Sequence, residues 1–453
     1  MDWQRLLEAV VLLTAIVLAL VALPRPHLPS SFAAWAVLFS LGLVSALVIA
    51  EHTIFSLLEW SWLLLIVILV GYIYELGIDN RNRLDRGILI IALASAFGYL
   101  WWFWKLNAFI YFTPLPEGVQ RIVTFPGFAN IRFFSDYQSF LLLLLPVALN
   151  RMVPAGPIKV AAELFTGLFF ALALIVGSRS LLVAHCCVHV LMLTLFGKRY
   201  WPFLSAQLRF WVYGIMGFVA LTKLLPFLMS SQSNSLVAST IMRFDSSFRS
   251  DLWMQALQII KEHPLLGVGP LHYANFPNAI ASSPHNFFLQ IATEWGIPAF
   301  LLLSFLVGQT LYFKIKDLSS SPGSNLEDVS LAITCSCFAI VLQAQVASSP
   351  LNYPVGQVIA MICFAYPRQK MQNNLVKSGG SSIGRVMALV GILASLVVIN
   401  SMTTLQSIKE RNRCFYFNPW PTHQFAPRFW QQGWLIGPCG EGESLLSTLS
   451  RPR

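Results

Sequence analysis

Charge is what this chain has least of. Asp, Glu, Lys and Arg make up 11% of its 453 residues and 56% are hydrophobic, whereas a soluble domain carries roughly 25% charged residues. That balance excludes an ordinary soluble enzyme. Acid is scarcer than base: 20 Asp and Glu against 30 Lys and Arg leave a net charge of +10. No basic helix or aromatic–basic module gathers the excess, so nucleic-acid binding is not expected. Basic residues instead punctuate short loops, where they hold a membrane topology; an anionic substrate is their second use. Internal repeats and low-complexity tracts are missing too, and with them the inverted halves of many transporters. Cysteines are few. Cys186, Cys187, Cys335, Cys337 and Cys363 lie in apolar runs and read as packing residues. Cys414 and Cys439 lie in the polar tail and can pair as a disulfide if that tail is outside the cytoplasm. The first apolar run, Leu6 to Leu23, ends in PRPHLP with no small-residue cleavage site, and so reads as a retained anchor.

What is present is a succession of apolar runs. A membrane span needs about 20 apolar residues. Candidates are residues 7–23, 32–50, 55–74, 88–104, 138–150, 158–177, 180–197, 207–229, 298–313, 328–347, 355–366 and 383–402. Several are short, so the expected fold is an all-α transmembrane bundle of 11 or 12 spans. Residues 1–402 form the membrane domain, with a long polar loop at about 230–284 that continues to 297. Residues 403–453 form a polar tail. Short loops holding Arg81, Arg83 and Arg86, then Lys198 and Arg199, then Lys314 and Lys316, then Arg368, Lys370 and Lys377 are assigned to the cytoplasm. The long loop, Lys105–Tyr137 and the tail then face the other side. Twelve spans put the N-terminus outside and eleven put it inside. Lys409, Arg411 and Arg413, just past the last run, argue against an outside tail.

The long loop carries residues that a bilayer does not need. RSDLWMQALQIIKE places Trp253, Ala256, Leu257 and Ile260 at i, i+3, i+4 and i+7, which predicts a short amphipathic helix. Ser250 caps it, Pro264 ends it, and it lies on the membrane surface with Trp253 at headgroup level. GVGP follows as a tight turn in which Gly267 and Gly269 take positive φ. Pro284 opens the next helix and Gly296 closes it, with Pro298 beyond. That puts His285 in a first turn, where backbone N–H groups favour an anion.

Arranged in order, these pieces resemble the O-antigen ligase and polymerase superfamily of bacterial inner-membrane glycan transferases. SRS at Ser178–Ser180, Arg249 with Trp253 as R-x-x-x-W, HPLLGVGP, and His285-Asn286 followed nine residues later by Gly296 match its elements in order and spacing. Ala299 departs from the Gly, Thr or Tyr that the pattern has there, a matter of helix packing. The resemblance spans roughly residues 120–315.

The resemblance implies an enzyme that moves a glycan from undecaprenyl pyrophosphate to an acceptor hydroxyl at the periplasmic face, without a metal or other cofactor and with inversion. Arg179 and Arg249 are then the pyrophosphate contacts, because a guanidinium fork grips phosphate oxygens. His285 is the general base, a side chain that ordinarily titrates near neutral pH. Asn286 orients the helix start or donates to the donor sugar. Arg132, in FANIRFFSDYQ, on the same outer face, is a further candidate donor-phosphate contact. His272 and His263 touch a sugar or are plain loop residues, Trp253 is a substrate contact, and Glu294 is structural. His185 and His189, four apart, resemble a metal pair, but further ligands are not visible and hydrogen-bonded histidines are commoner in membranes. The expected acceptor is lipid A-core, making an O-antigen ligase. A protein O-oligosaccharyltransferase acting on a pilin-like acceptor is the alternative, then an O-antigen polymerase. A membrane transporter is the alternative of a different class. Membrane lipids are the remaining partner.

Overall fold

Ten of the twelve expected spans coincide with helices. The structure, a computed structural model, describes residues 32–79, 81–112, 131–224, 249–276, 283–320, 328–346 and 354–366. The runs 7–23 and 383–402, the loop basic residues after Tyr366, and the tail with Cys414 and Cys439 lie outside the described residues. In chain order the helices are α1 (Phe32–Val44), α2 (Thr53–Asp79), α3 (Arg81–Phe112), α4 (Ile131–Met152), α5 (Pro157–Val176), α6 (Arg179–Phe196) and α7 (Trp201–Val219). After these come α8 (Arg249–Glu262), α9 (Phe287–Trp295), α10 (Ile297–Ser320), α11 (Asp328–Ala344) and α12 (Pro354–Ala365). A π-helical turn, Ser45–Ile49, extends α1, and a 3-10 turn, His272–Asn275, lies between α8 and α9. The described residues hold no strand, and the fold is an all-α polytopic bundle.

Two apolar cores divide the packing. The larger draws on α3–α7, α11 and α12, with α4 at its centre. Residues Phe140–Leu145 and Val147–Leu149 of α4 are all buried, as befits a helix apolar all round. Pro146 interrupts that helix and withdraws the N–H that would bond to Leu142 O. One residue on, Gln207 Nε2 of α7 donates to Leu143 O at 3.0 Å, the kind of side-chain repair a membrane interior demands. Small residues let α5 and α7 touch: a Cβ on Gly167 would stand 2.6 Å from the Tyr213 side chain, and one on Gly214 would stand 2.7 Å from that of Phe170. The smaller core joins α1, α2, α9 and α10 through Phe39, Trp62, Ile291, Trp295 and Leu303.

Contacts at the helix ends fix which termini lie together. Tyr366, just past α12, donates to Asp85 at the start of α3 (2.8 Å), and its carbonyl accepts from Lys314 late in α10 (3.2 Å). That end also carries Arg81, stacked on the Tyr366 ring. Past the middle of α3, away from Arg81, Tyr99 stacks on Phe134 in the first turn of α4 at 4.5 Å. Ser135 of α4 donates to Ser178, the cap of α6 (2.7 Å), so α4 and α6 start together. Because α10 ends beside the start of α3, it begins at the end where α4 and α6 begin. Arg179, Arg249 and His285 therefore share one end of the bundle, and the basic loops at Arg81, Lys198 and Lys314 share the other.

Candidate active site

α9 organises the site. Asn286 caps it, its side chain accepting from Leu289 N at 3.1 Å, and Gly296 closes it at φ 88°. The nine residues between Asn286 and Gly296 are thus one complete helix. This corrects the expectation that Pro284 opens the helix with His285 in its first turn. The Asx side chain outcompetes proline as the start signal, since it satisfies an orphan N–H, and His285 falls just before the cap. There it adopts φ 51°, a left-handed conformation that non-glycine residues adopt only when the surroundings hold them. One such hold is visible: Trp253 Nε1 of α8 donates to Pro284 O at 3.0 Å. Trp253, expected at headgroup level as a substrate contact, anchors the strap that carries His285.

The other end of α9 is capped by the glycine turn. Val268 N donates to Thr293 O (3.0 Å) and Gly269 N to Glu294 O (2.9 Å), while Ile297 N donates to Pro264 O (2.8 Å). The first two satisfy carbonyls that the end of α9 leaves open, and the third ties the start of α10 back to the turn. Gly267 and Gly269 take φ 63° and 103°, the positive values expected. The turn needs their missing side chains: a Cβ on Gly267 would lie 2.5 Å from Thr293 O, and one on Gly296 would lie 2.1 Å from Leu265 O. Ser45, in the π-helical turn after α1, donates to Leu266 O (2.6 Å) and Glu294 O (3.0 Å), stitching the turn to the smaller core. Gly296→Ala is therefore expected to cost at least about 3 kcal/mol through backbone strain and the clash. Thermal unfolding of the detergent-solubilised protein measures it, with Gly308→Ala, which meets nothing within 4 Å, left near wild type.

His272 is buried at the root of this assembly. Its Nε2 accepts from His52 N (2.9 Å), so Nδ1 carries the proton and faces Pro270 O (3.0 Å) and Ser56 Oγ (3.0 Å). Both ring nitrogens hold the glycine turn to the start of α2, a positioning role. Glu294 is buried as well, its Oε1 accepting from Tyr273 N at 3.1 Å, the structural part expected of it. Tyr273 in turn reaches Leu252 O and Gln255 on α8 with its hydroxyl.

α8 buries Leu252, Ala256 and Ile259, not the expected face of Trp253, Ala256, Leu257 and Ile260. Its partners are α9 and Tyr273 of the same chain, and that pairing turns Leu257 outward to 56% exposure. α8 begins at Arg249, with Ser250 inside its first turn and not at the cap. Arg249 is half-buried, one turn before Trp253, whose indole holds the strap bearing His285.

Arg179 stands on the larger core, at the first position of α6, after Ser178, which accepts from Leu181 N (3.4 Å) and contacts Ser180 (3.1 Å). Arg132 is the second residue of α4, one turn before Ser135, so its backbone starts beside the α6 cap. The helix starts thus form two groups at one end: those of α4 and α6, which carry Arg132 and Arg179, and the α8–α9 assembly, which carries Arg249, Trp253 and His285. Of His185 and His189, the suggested metal pair, one ring nitrogen each is engaged within the bundle. His185 Nε2 meets Ser139 Oγ (3.1 Å) and Ser139 O (3.0 Å), and His189 Nδ1 meets the Tyr200 hydroxyl.

All but Arg132 of these candidate residues fall in one stretch that also matches a known family. Residues 164–304 match the O-antigen ligase family. This central segment is similar to the O-antigen ligase superfamily, which supports glycan transfer of the ligase or polymerase type by a membrane protein. No curated protein matches the chain significantly. The matched segment runs from α5 into α10 and includes the whole α8–α9 assembly. Sequence reasoning missed Ser45, His52 and Ser56, which bind its turn from α1 and α2, outside the matched stretch. Their only signal was polarity at the ends of apolar runs.

Proposed function

We propose that the protein transfers a glycan from undecaprenyl pyrophosphate to an acceptor hydroxyl at the periplasmic face of the bacterial inner membrane, with O-antigen as the glycan and lipid A-core as the acceptor. The observation that carries this reading is the left-handed His285. It is held before a helix capped at both ends, on a strap bonded to the helix that starts at Arg249. In this mechanism His285 takes the proton from the acceptor hydroxyl as its oxygen attacks the anomeric carbon. The bond from that carbon to the pyrophosphate oxygen breaks, the lipid pyrophosphate leaves, and direct displacement inverts the centre. Negative charge grows on the leaving group, and Arg179 and Arg249 stabilise it where it develops. Asn286 shapes the start of α9, and Arg132 is a further phosphate contact. The basic loops at the far end of the bundle fit a cytoplasmic location for that end, which leaves the His285 end periplasmic.

Deleting the gene and blotting lipopolysaccharide and surface proteins for the glycan tests this. The expected result is lipid A-core that lacks polymer while lipid-linked polymer persists. Loss of glycan from a protein, with lipopolysaccharide intact, transfers the assignment to a protein O-oligosaccharyltransferase. Single repeat units on lipid A-core transfer it to a polymerase.

A further inference from the structure

Gln343, near the end of α11, is fully buried, and neither its Nε2 nor its Oε1 meets a hydrogen-bond partner among the described residues. Two residues on, Gln345 bonds to Val341 O in the ordinary way. A buried amide with both ends unspent is costly inside a bilayer, and it is retained where something polar comes to it.

Its height in the bundle follows from contacts lower down. The Tyr200 hydroxyl bridges His189 of α6 and Cys335 of α11 (3.9 Å to the sulfur), so those two residues are level. α11 runs antiparallel to α6. Eight residues up α11 from Cys335 is Gln343, about 12 Å of rise, and eight residues back along α6 from His189 is Leu181. Leu181 donates its N–H to the Ser178 cap, beside Arg179, and Ser178 is tied to Ser135 of α4. α11 packs on both α4 and α6. Gln343 thus lies at the depth of the Ser135–Ser178 hydroxyls, beneath the end where Arg179 sits and outside the stretch matched to the family.

We propose that Gln343 binds the polar head of the lipid-linked donor, its amide N–H groups donating to the pyrophosphate or its first sugar from below while Arg179 holds the phosphate from the helix start. This rests on the proposed function and adds a donor contact on α11. Its cost without ligand sets the test. If the amide serves nothing, replacing it with an apolar side chain of like volume removes an unsatisfied group and leaves function alone. If it binds donor, the same change leaves the fold as stable or more so and weakens binding.

The full-length protein in nanodiscs, wild type, Gln343→Met and His285→Ala, is titrated with undecaprenyl pyrophosphate while thermal unfolding is followed, and donor dependence of transfer is measured for wild type and Gln343→Met. Wild type and His285→Ala should both be stabilised by the lipid. Gln343→Met should unfold at the same or a higher temperature without lipid, yet need roughly 10- to 100-fold more donor. A Gln343→Met protein that binds and uses donor like wild type overturns the assignment and leaves the transferase reading standing. A wild type that the lipid does not stabilise overturns the donor class and this contact together. Should Gln343→Met fail to insert, Gln343→Leu is the second variant: its side chain has no N–H to donate, and wild-type donor use by it overturns the assignment equally.

Discussion

His285→Ala is expected to abolish glycan transfer while the protein remains inserted and folded, a loss of roughly 10²–10⁴ in rate, as for removal of a general base. The left-handed backbone at His285 gives the experiment a sharper form. Alanine removes the imidazole but also strains that conformation, so a loss has two sources. Asparagine and glycine both tolerate positive φ. His285→Asn and His285→Gly should therefore keep the strap in place and still lose transfer to the same degree as alanine. The assay is transfer in membranes at matched protein levels. Recovery of activity in the glycine variant would make His285 a backbone device and remove it from proton transfer.

The second large effect concerns the arginines at the starts of α6 and α8. Arg179→Lys and Arg249→Lys keep a cation but lose the planar fork and shift the charge. Each is expected to lose most of its transfer activity, and alanine at either position to lose more. A side chain that merely reached for a headgroup would behave the opposite way, since the flexible stem of lysine reaches as far. Transfer at equal membrane levels decides it, and full activity in both lysine variants would remove the pyrophosphate clamp from the mechanism.

Much of this was legible in the sequence for a simple reason. Apolar runs and their breaks depend on composition over twenty residues, which single side chains cannot disguise, so ten expected spans fell on helices. The glycine turn was legible because Gly267, Gly269 and Gly296 stand where no side chain fits. What failed turned on competition between neighbours. Pro284 and Asn286 both signal a helix start, and only the bond to Leu289 N shows that asparagine prevails. The face of α8 was misjudged because its periodicity allows either Leu252 or Leu257 inward, and tertiary contact with Tyr273 selects the first. His272 looked like a loop residue because its partners, His52 and Ser56, lie more than two hundred residues earlier. Gln343 gave no sequence signal, since one glutamine in an apolar run is as often a surface residue.

The full occupancy of the gap between Asn286 and Gly296 by α9 makes that helix a ruler. Both its ends are clamped, one by the asparagine cap and the strap from Trp253, the other by the glycine turn. Adding one residue to α9 would lengthen it by about 1.5 Å and swing its start by about 100° about the axis. The imidazole would then leave the position the proposed proton transfer requires, though every residue named in that proposal remained. The number nine in the motif is thus an angle as much as a distance.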